Sequence, residues 1–185
     1  CARRTYRIED APRRAFLLLP AGRVVMQPPG GNEVKAIHTS DFIGTFAVIE
    51  SEAGILMVQN QRKIGGRDRL TWDLPGGGVN GGEQLTEALA RELKEELEIE
   101  LCGVPEFLFY QEGERLEKGV RTRVWRSFFF RVREYRGTPC AASEIVDFRW
   151  VRLEEMKSLL DAPYHDSFLS WLDRGGSAFT SRWED

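Results

Sequence analysis

The stretch from Gly77 to Ile99, GGVNGGEQLTEALARELKEELEI, leaves the chain less freedom than any other. Leu85, Leu89, Leu93 and Leu97 recur every four residues with no Gly or Pro between them, which predicts a helix of about four turns with one apolar stripe. Beside the stripe stand Glu92, Glu95 and Glu96, which fall within an arc of roughly 100° on a helical wheel. Like charges so spaced cost ~0.3 kcal/mol per pair, so a positive partner is expected over them. A hard divalent cation such as Mg²⁺ or Mn²⁺ suits the role, because it takes a few carboxylate oxygens and fills its remaining positions with water and phosphate oxygens. A solvated acidic helix face competes with this reading, and Arg91 and Lys94 suit it. It leaves unexplained the glycine-rich turn that stands ahead of Glu83.

Charge is concentrated in the same place. Between Glu83 and Glu100 seven acids face only Arg91 and Lys94, a local charge of −5 in a chain that carries −3 overall. The remainder is nearly balanced, so no basic field marks out a nucleic-acid track. At 185 residues, with 42% hydrophobic and 30% charged side chains, the chain has the size and composition of an ordinary globular domain that needs no staples. No apolar run is long enough to cross a bilayer and no signal region opens the sequence, from which a cytoplasmic protein without a membrane partner is expected. Cys1, Cys102 and Cys140 are odd in number and lack CxxC spacing; free thiols are expected rather than a disulfide framework or a zinc site.

Read in order, Arg4-Ile8, Ala15-Leu19, Arg23-Gln27 and Glu33-His38 are short strand-like pieces set between Pro and Gly clusters. They predict an amino-terminal antiparallel extension over 1-40, too small to fold alone and suited to an added sheet or a dimerisation arm. The main domain is expected over 41-185. Phe42-Glu50 and Ile55-Gln59 read as a hairpin about Ser51-Gly54. Gln61 to Arg69 reads as a basic loop, in which Arg62, Lys63, Arg67 and Arg69 are candidates to meet a phosphate. Glu106-Gln111 and Val120-Tyr135 read as strands flanking a charged turn, Glu112-Gly119. On one phase of the second strand Arg121, Arg123, Trp125, Phe129, Arg131 and Arg133 interleave. Such a face can stack a base and pair with phosphate, or be plain solvent surface with extended arginines. Glu144-Leu153 predicts a strand, followed by a short helix about Leu153-Leu160 and another over Pro163-Arg174, with Phe168, Leu169, Trp171 and Leu172 on its inner side. Strands, helix, strands and helices in this order give α+β with helices packed on a mixed sheet. His38 and His165 have no nucleophile near them in sequence and are assigned to structure.

The glutamate-rich stretch resembles the Nudix box, Gly-x5-Glu-x7-Arg-Glu-U-x-Glu-Glu-x-Gly-U with U aliphatic. Gly77, Glu83, Arg91, Glu92, Leu93, Glu95, Glu96 and Ile99 match in register, and the lead-in Trp72-Asp73-Leu74-Pro75-Gly76 is of the family's usual kind. Glu98 departs, standing where the family has glycine. The family glycine ends the helix in a left-handed conformation, and a Glu held there costs ~1 kcal/mol, so a local change in how the helix ends is expected, with the metal site intact.

The resemblance covers roughly Phe42 to Asp173 and implies a Nudix-type α/β/α sandwich with a mixed sheet. It implies hydrolysis of a pyrophosphate bond in a nucleoside diphosphate linked to another moiety, with Mg²⁺ or Mn²⁺ as cofactor. Metal phosphoryl chemistry agrees, since no Ser-His-Asp or Cys-His set supplies another nucleophile than water. By the same match Glu92, Glu95 and Glu96 are metal ligands, Glu83 a further one, Arg91 the residue that holds Glu83, and Gly76 and Gly77 the turn that brings backbone to the metal. Family members often draw a general base from a loop before a strand, where this chain has Glu144; Glu112, Glu114 and the box glutamate Glu96 are the alternatives. Arg62, Arg69, Arg123 and Trp125 are the candidate substrate-binding residues. The layout is closest to the ADP-ribose and nucleoside diphosphate sugar pyrophosphatases, whose amino-terminal strands pair in a homodimer. Cleansing hydrolysis of nucleoside triphosphates of the 8-oxo-dGTP kind, removal of pyrophosphate from an RNA 5′ end, and a non-catalytic nucleotide sensor remain as alternatives.

Overall fold

The computed structural model describes residues 40–64, 67–160 and 165–184. The strands expected between Arg4 and His38, and with them the dimerisation arm, lie outside the described residues. Eleven strands and three helices follow one another among the described residues. A mixed five-stranded sheet runs in the order Ala178–Glu184 (β11), Glu106–Glu117 (β7), Val120–Arg131 (β8), Ser40–Val48 (β1) and Gly76–Gly78 (β5). A second sheet joins Ile145–Val151 (β10) and Glu50–Ser51 (β2) to opposite edges of Gly54–Ile64 (β3), with Arg67–Asp73 (β4) also paired to β3. Glu100–Leu101 (β6) and Tyr135–Arg136 (β9) make a small pair.

Alternation along the central strands divides the core into two layers. In β1 and the residue that follows it, Phe46 and Val48 enter one cluster and Ala47 and Ile49 the other; in β3, Ile55 and Met57 part in the same way from Leu56 and Val58. The first layer is closed by Met156 and Leu160, in and just after Leu153–Leu159 (α2), and by Phe168 of His165–Arg174 (α3). The second is closed by Leu89, Leu93 and Leu97 of Leu85–Leu97 (α1), all fully buried. The chain is therefore an α+β sandwich, with helices packed on a mixed sheet and an antiparallel one.

Three sequence expectations are corrected, and one strand goes beyond them. Phe42-Glu50 and Ile55-Gln59 are not one hairpin: only β2 turns back on β3, at Glu50↔Ile55, while β1 belongs to the other sheet. Gln61 to Arg69 is not a loop, since β3 and β4 stay paired from Val58↔Asp73 to Ile64↔Arg67. Nor is Glu112-Gly119 a turn. β7 runs on to Glu117, and the reversal is made by Lys118 and Gly119, both at positive φ as a tight hairpin requires. Cross-strand ion pairs such as Arg121–Glu114 and Arg126–Glu112 keep this charged segment in the sheet. The last, β11, was foreseen by no element; it adds in parallel to β7, placing Ala178 opposite Tyr110 and Trp183 opposite Arg115.

Candidate active site

The short β5 carries the glycines that approach helix α1. A Cβ on Gly77 would lie 2.7 Å from the Glu92 carboxyl carbon, and one on Gly76, at φ 133°, only 2.2 Å from the Thr45 carbonyl oxygen. No larger residue fits either position without displacing a neighbour. The bare backbone lets the Gly76 N–H donate to Glu96 Oε2 at 2.8 Å.

Arg91 gathers the acids. Its Nε and Nη2 donate to the two oxygens of Glu83 at 2.7 and 3.0 Å, Nη1 to Glu92 Oε1 at 2.8 Å and Glu95 Oε2 at 3.2 Å, and Nη2 also to the Gly78 carbonyl at 2.8 Å. A planar guanidinium suits such divergent bonds, and this one joins the turn, Glu83 and the helix. Its hydrogen bonds pull the Glu83 carboxyl down to about 2. Glu98 takes up the left-handed conformation at φ 55° and ψ 22°, with its N–H donating back to Lys94 O. The helix thus ends where a glycine would end it.

In Glu96 and Glu92 burial outweighs the hydrogen bonds from Gly76 and Arg91. Glu96 is 4% exposed, and its carboxyl is pushed up to about 8, by burial first and further by Glu92, Asp73 and Glu144. Burial likewise raises Glu92, and Glu95 and Glu144 add to it. Glu144 is brought here by the end of α1: the Cys140 and Ala142 N–H groups donate to the carbonyls of Leu97 and Glu96, both at 3.0 Å. Those helix-terminal carbonyls have no partner within the helix, so the segment caps α1 and hangs Glu144 beside the box. Glu92, Glu95, Glu96, Ser143 and Glu144 line one recess.

The donor set fits a hard divalent cation. It is all oxygen, acidic beyond what Arg91 offsets, and includes a buried carboxylate that its surroundings drive toward its neutral form. Among the described residues the carboxylates are not closed about one point, for Glu92 and Glu95 each lend an oxygen to Arg91 and Glu96 lends one to Gly76. Each keeps a second oxygen.

A cleft of about 420 Å³ opens from this end, bounded by Gly76, Gly77, Glu92, Glu96 and Glu144 on one side and by Phe42, Arg115, Arg123, Trp125 and Trp183 on the other. Of the candidate substrate-binding residues, Arg62, Arg123 and Trp125 line it. Arg69 does not: it stands exposed on β4 opposite Arg62. Arg62 pairs with Asp73, which burial raises to about 6 against the lowering effect of that arginine. The interleaved phase of β8 turns inward from Trp125 on, with Trp125, Ser127 and Phe129 buried, while Arg121 and Arg123 stay exposed. Asp73, Arg115 and Trp183 escaped the sequence reading as site residues. The alternation of Phe179, Ser181 and Trp183 with polar neighbours was the signal for β11.

Residues 42–172 match the NUDIX domain family model. An RNA pyrophosphohydrolase of Acidiphilium cryptum is 32% identical over 126 residues, which are 61% of this chain and 76% of that protein. Among solved structures, the MutT protein of Bacillus halodurans superposes with a TM-score of 0.64 at 21% identity, over 77% of this chain and 90% of that one. A bifunctional NMN adenylyltransferase/ADP ribose pyrophosphatase of Francisella tularensis gives 0.57 at 23% identity, over 77% of this chain and 43% of that one. These two structures show a shared fold.

Proposed function

The chain belongs to the Nudix family and is a pyrophosphohydrolase, and from that premise we propose that it hydrolyses a nucleoside diphosphate linked to a second moiety, foremost a nucleoside diphosphate sugar such as ADP-ribose. One observation carries the reading: a single cleft holds the box carboxylates Glu92 and Glu96 at one end and an arginine and aromatic wall at the other. Its volume of about 420 Å³ lies within the small-molecule range rather than that of a polymer track.

The family works with divalent cations such as Mg²⁺, and Glu92, Glu95 and Glu96, with Glu83 behind them, are the residues that would hold one here. Such a cation neutralises phosphate oxygens and lowers the pKa of water. Arg91 positions Glu83 and Glu92. Glu144 and Glu96 border the same cleft, and Glu144, the more exposed carboxylate, is assigned as the base that takes the proton of the attacking water. The water oxygen attacks phosphorus and the bridging P–O bond breaks, leaving a nucleoside monophosphate and a sugar phosphate. Arg62, Arg115 and Arg123 line the cleft, which supports assigning them to meet phosphate charge.

RNA 5′-end pyrophosphate removal is the second reading, favoured by the similarity to the Acidiphilium protein. A panel of ADP-ribose, UDP- and GDP-sugars, dNTPs, 8-oxo-dGTP and 5′-triphosphorylated RNA, with Mg²⁺ and product analysis, separates these. The highest kcat/KM is expected on a nucleoside diphosphate sugar. Preference for a triphosphate or for RNA would replace this assignment, and no turnover of any member would favour a nucleotide-binding sensor.

A further inference from the structure

Strand β11 lies past residue 172, where the family match ends, yet it forms one border of the cleft. Its alternation sets Phe179 against the core, 5.3 Å from the Phe109 ring, and carries Trp183 two pleats further along the same face. There the sheet register sets Trp183, Arg115 and Arg123 in one row across β11, β7 and β8. The next row holds Ser181, Gly113, Trp125 and Phe42. Gly113 is the reason the wall is hollow. A Cβ on it would lie 2.2 Å from Cε2 and Cζ2 of Trp125, so the absence of a side chain lets that indole lie over β7 toward β11. Trp125 Nε1 donates to Gln111 Oε1 at 3.0 Å, which sets its orientation, and its ring meets that of Trp183 edge to face at 6.3 Å. Arg123 lies 5.6 Å from the Phe42 ring centroid on the other side.

Resting on the reading that the substrate carries a nucleoside, we propose that Trp183, seated against Trp125, forms the nucleobase subsite, so that a strand outside the family module selects the substrate. The base lies against the indole of Trp183, with Arg115 and Arg123 on the way to the carboxylates. β11 and β5 occupy opposite edges of the five-stranded sheet, which holds the base far from the bond that breaks. Packing alone accounts poorly for Trp183. Phe42, Trp171 and Phe179 are also only partly buried but pack against the core, whereas Trp183 belongs to neither core cluster among the described residues and stays partly exposed along the cleft. An indole pair held by a hollow and a hydrogen bond presents a rigid apolar face of the kind on which bases stack.

Calorimetric binding of AMP, GMP and UMP, with ribose 5-phosphate as the base-free control, to the wild type, Trp183→Leu and Trp183→Phe in Mg²⁺ tests this. Wild type is expected to bind a nucleoside monophosphate at least ~10-fold more tightly than ribose 5-phosphate. Trp183→Leu is expected to erase most of that margin while leaving the ribose 5-phosphate affinity in place. Trp183→Phe, which keeps an aromatic face if the leucine variant fails to fold, is expected to lose about threefold of nucleotide affinity and none for ribose 5-phosphate. Equal loss for both ligand classes, no loss of nucleotide affinity in either variant, or a wild type that binds AMP no better than ribose 5-phosphate overturns the proposal. Turnover on the substrate panel reports separately. A protein that hydrolyses nucleoside diphosphate sugars with no margin at Trp183 keeps its function and loses this subsite; one that binds nucleotides through Trp183 without hydrolysing them does the reverse.

Discussion

Arg91 grips Glu83 with two parallel hydrogen bonds, Nε to Oε1 at 2.7 Å and Nη2 to Oε2 at 3.0 Å, and so ties the start of the box to the middle of its helix. The fork leaves Nη1 over Glu92 and Glu95. Replacing it with lysine keeps one charge but cannot serve two carboxylate oxygens, the Gly78 carbonyl and Glu92 together. Arg91→Lys is expected to lower turnover about 10- to 100-fold, chiefly by raising the Mg²⁺ concentration needed. A titration of initial rate against Mg²⁺ checks it; a curve that overlays the wild type's would refute the positioning role.

Glu96 gives a prediction free of substrate. A cation bound at ~100 times its dissociation constant stabilises the folded chain by about 2.7 kcal/mol, or roughly 5–10 °C in Tm for a chain of this size. Glu96→Gln is expected to remove most of that shift and most turnover, and to melt no lower than wild type without metal, because burial already disfavours the charged form of this carboxyl and the amide keeps an oxygen for the Gly76 N–H. Thermal melts with and without Mg²⁺ decide it. A Glu96→Gln protein with the full Mg²⁺ shift would rule this residue out as a ligand.

The left-handed Glu98 is a cost that glycine would relieve. Glu98→Gly is expected to raise stability by up to about 1 kcal/mol, ~2–4 °C in Tm, with kcat/KM unaltered. A drop in Tm would mean that Glu98 contributes a contact worth more than the strain.

Glu114 joins three strands, accepting from Arg121 Nε at 2.7 Å and from Arg182 Nε at 2.8 Å. These hydrogen bonds hold its carboxyl below the ordinary value of 4.5. A carboxyl with a lowered folded pKa lends stability that is complete above the unfolded value and is lost as pH falls through the folded one. The difference in urea midpoint between wild type and Glu114→Gln is therefore expected to be constant between about pH 6 and 8 and to vanish in acid. A gap that widens on acidification would contradict the pairing. Loosening of β11 in this variant also predicts weaker nucleotide binding through Trp183.

Helix α1 was legible in the chain because everything that defines it is local. A four-residue leucine repeat, an unbroken run of helix formers and three glutamates on one arc lie within a few turns. The fork from Arg91 to Glu83 spans only eight residues. Hairpin lengths were harder: the charged and basic segments at Gln61-Arg69 and Glu112-Gly119 carry the composition of loops, and only cross-strand pairing keeps them extended.

The carboxylate cluster of the chain and its class of chemistry were thus written into the sequence, since one helix and its preceding turn suffice to bring those carboxylates together. Tertiary structure decided the rest of the cleft. Glu144 reaches the box through backbone hydrogen bonds to the carbonyls at the end of α1, and Arg182, 68 residues from Glu114, helps to hold the strand that carries Trp183. Contacts between such distant segments depend on which strands lie side by side, and residue periodicity reports only the face a residue takes, not its neighbour.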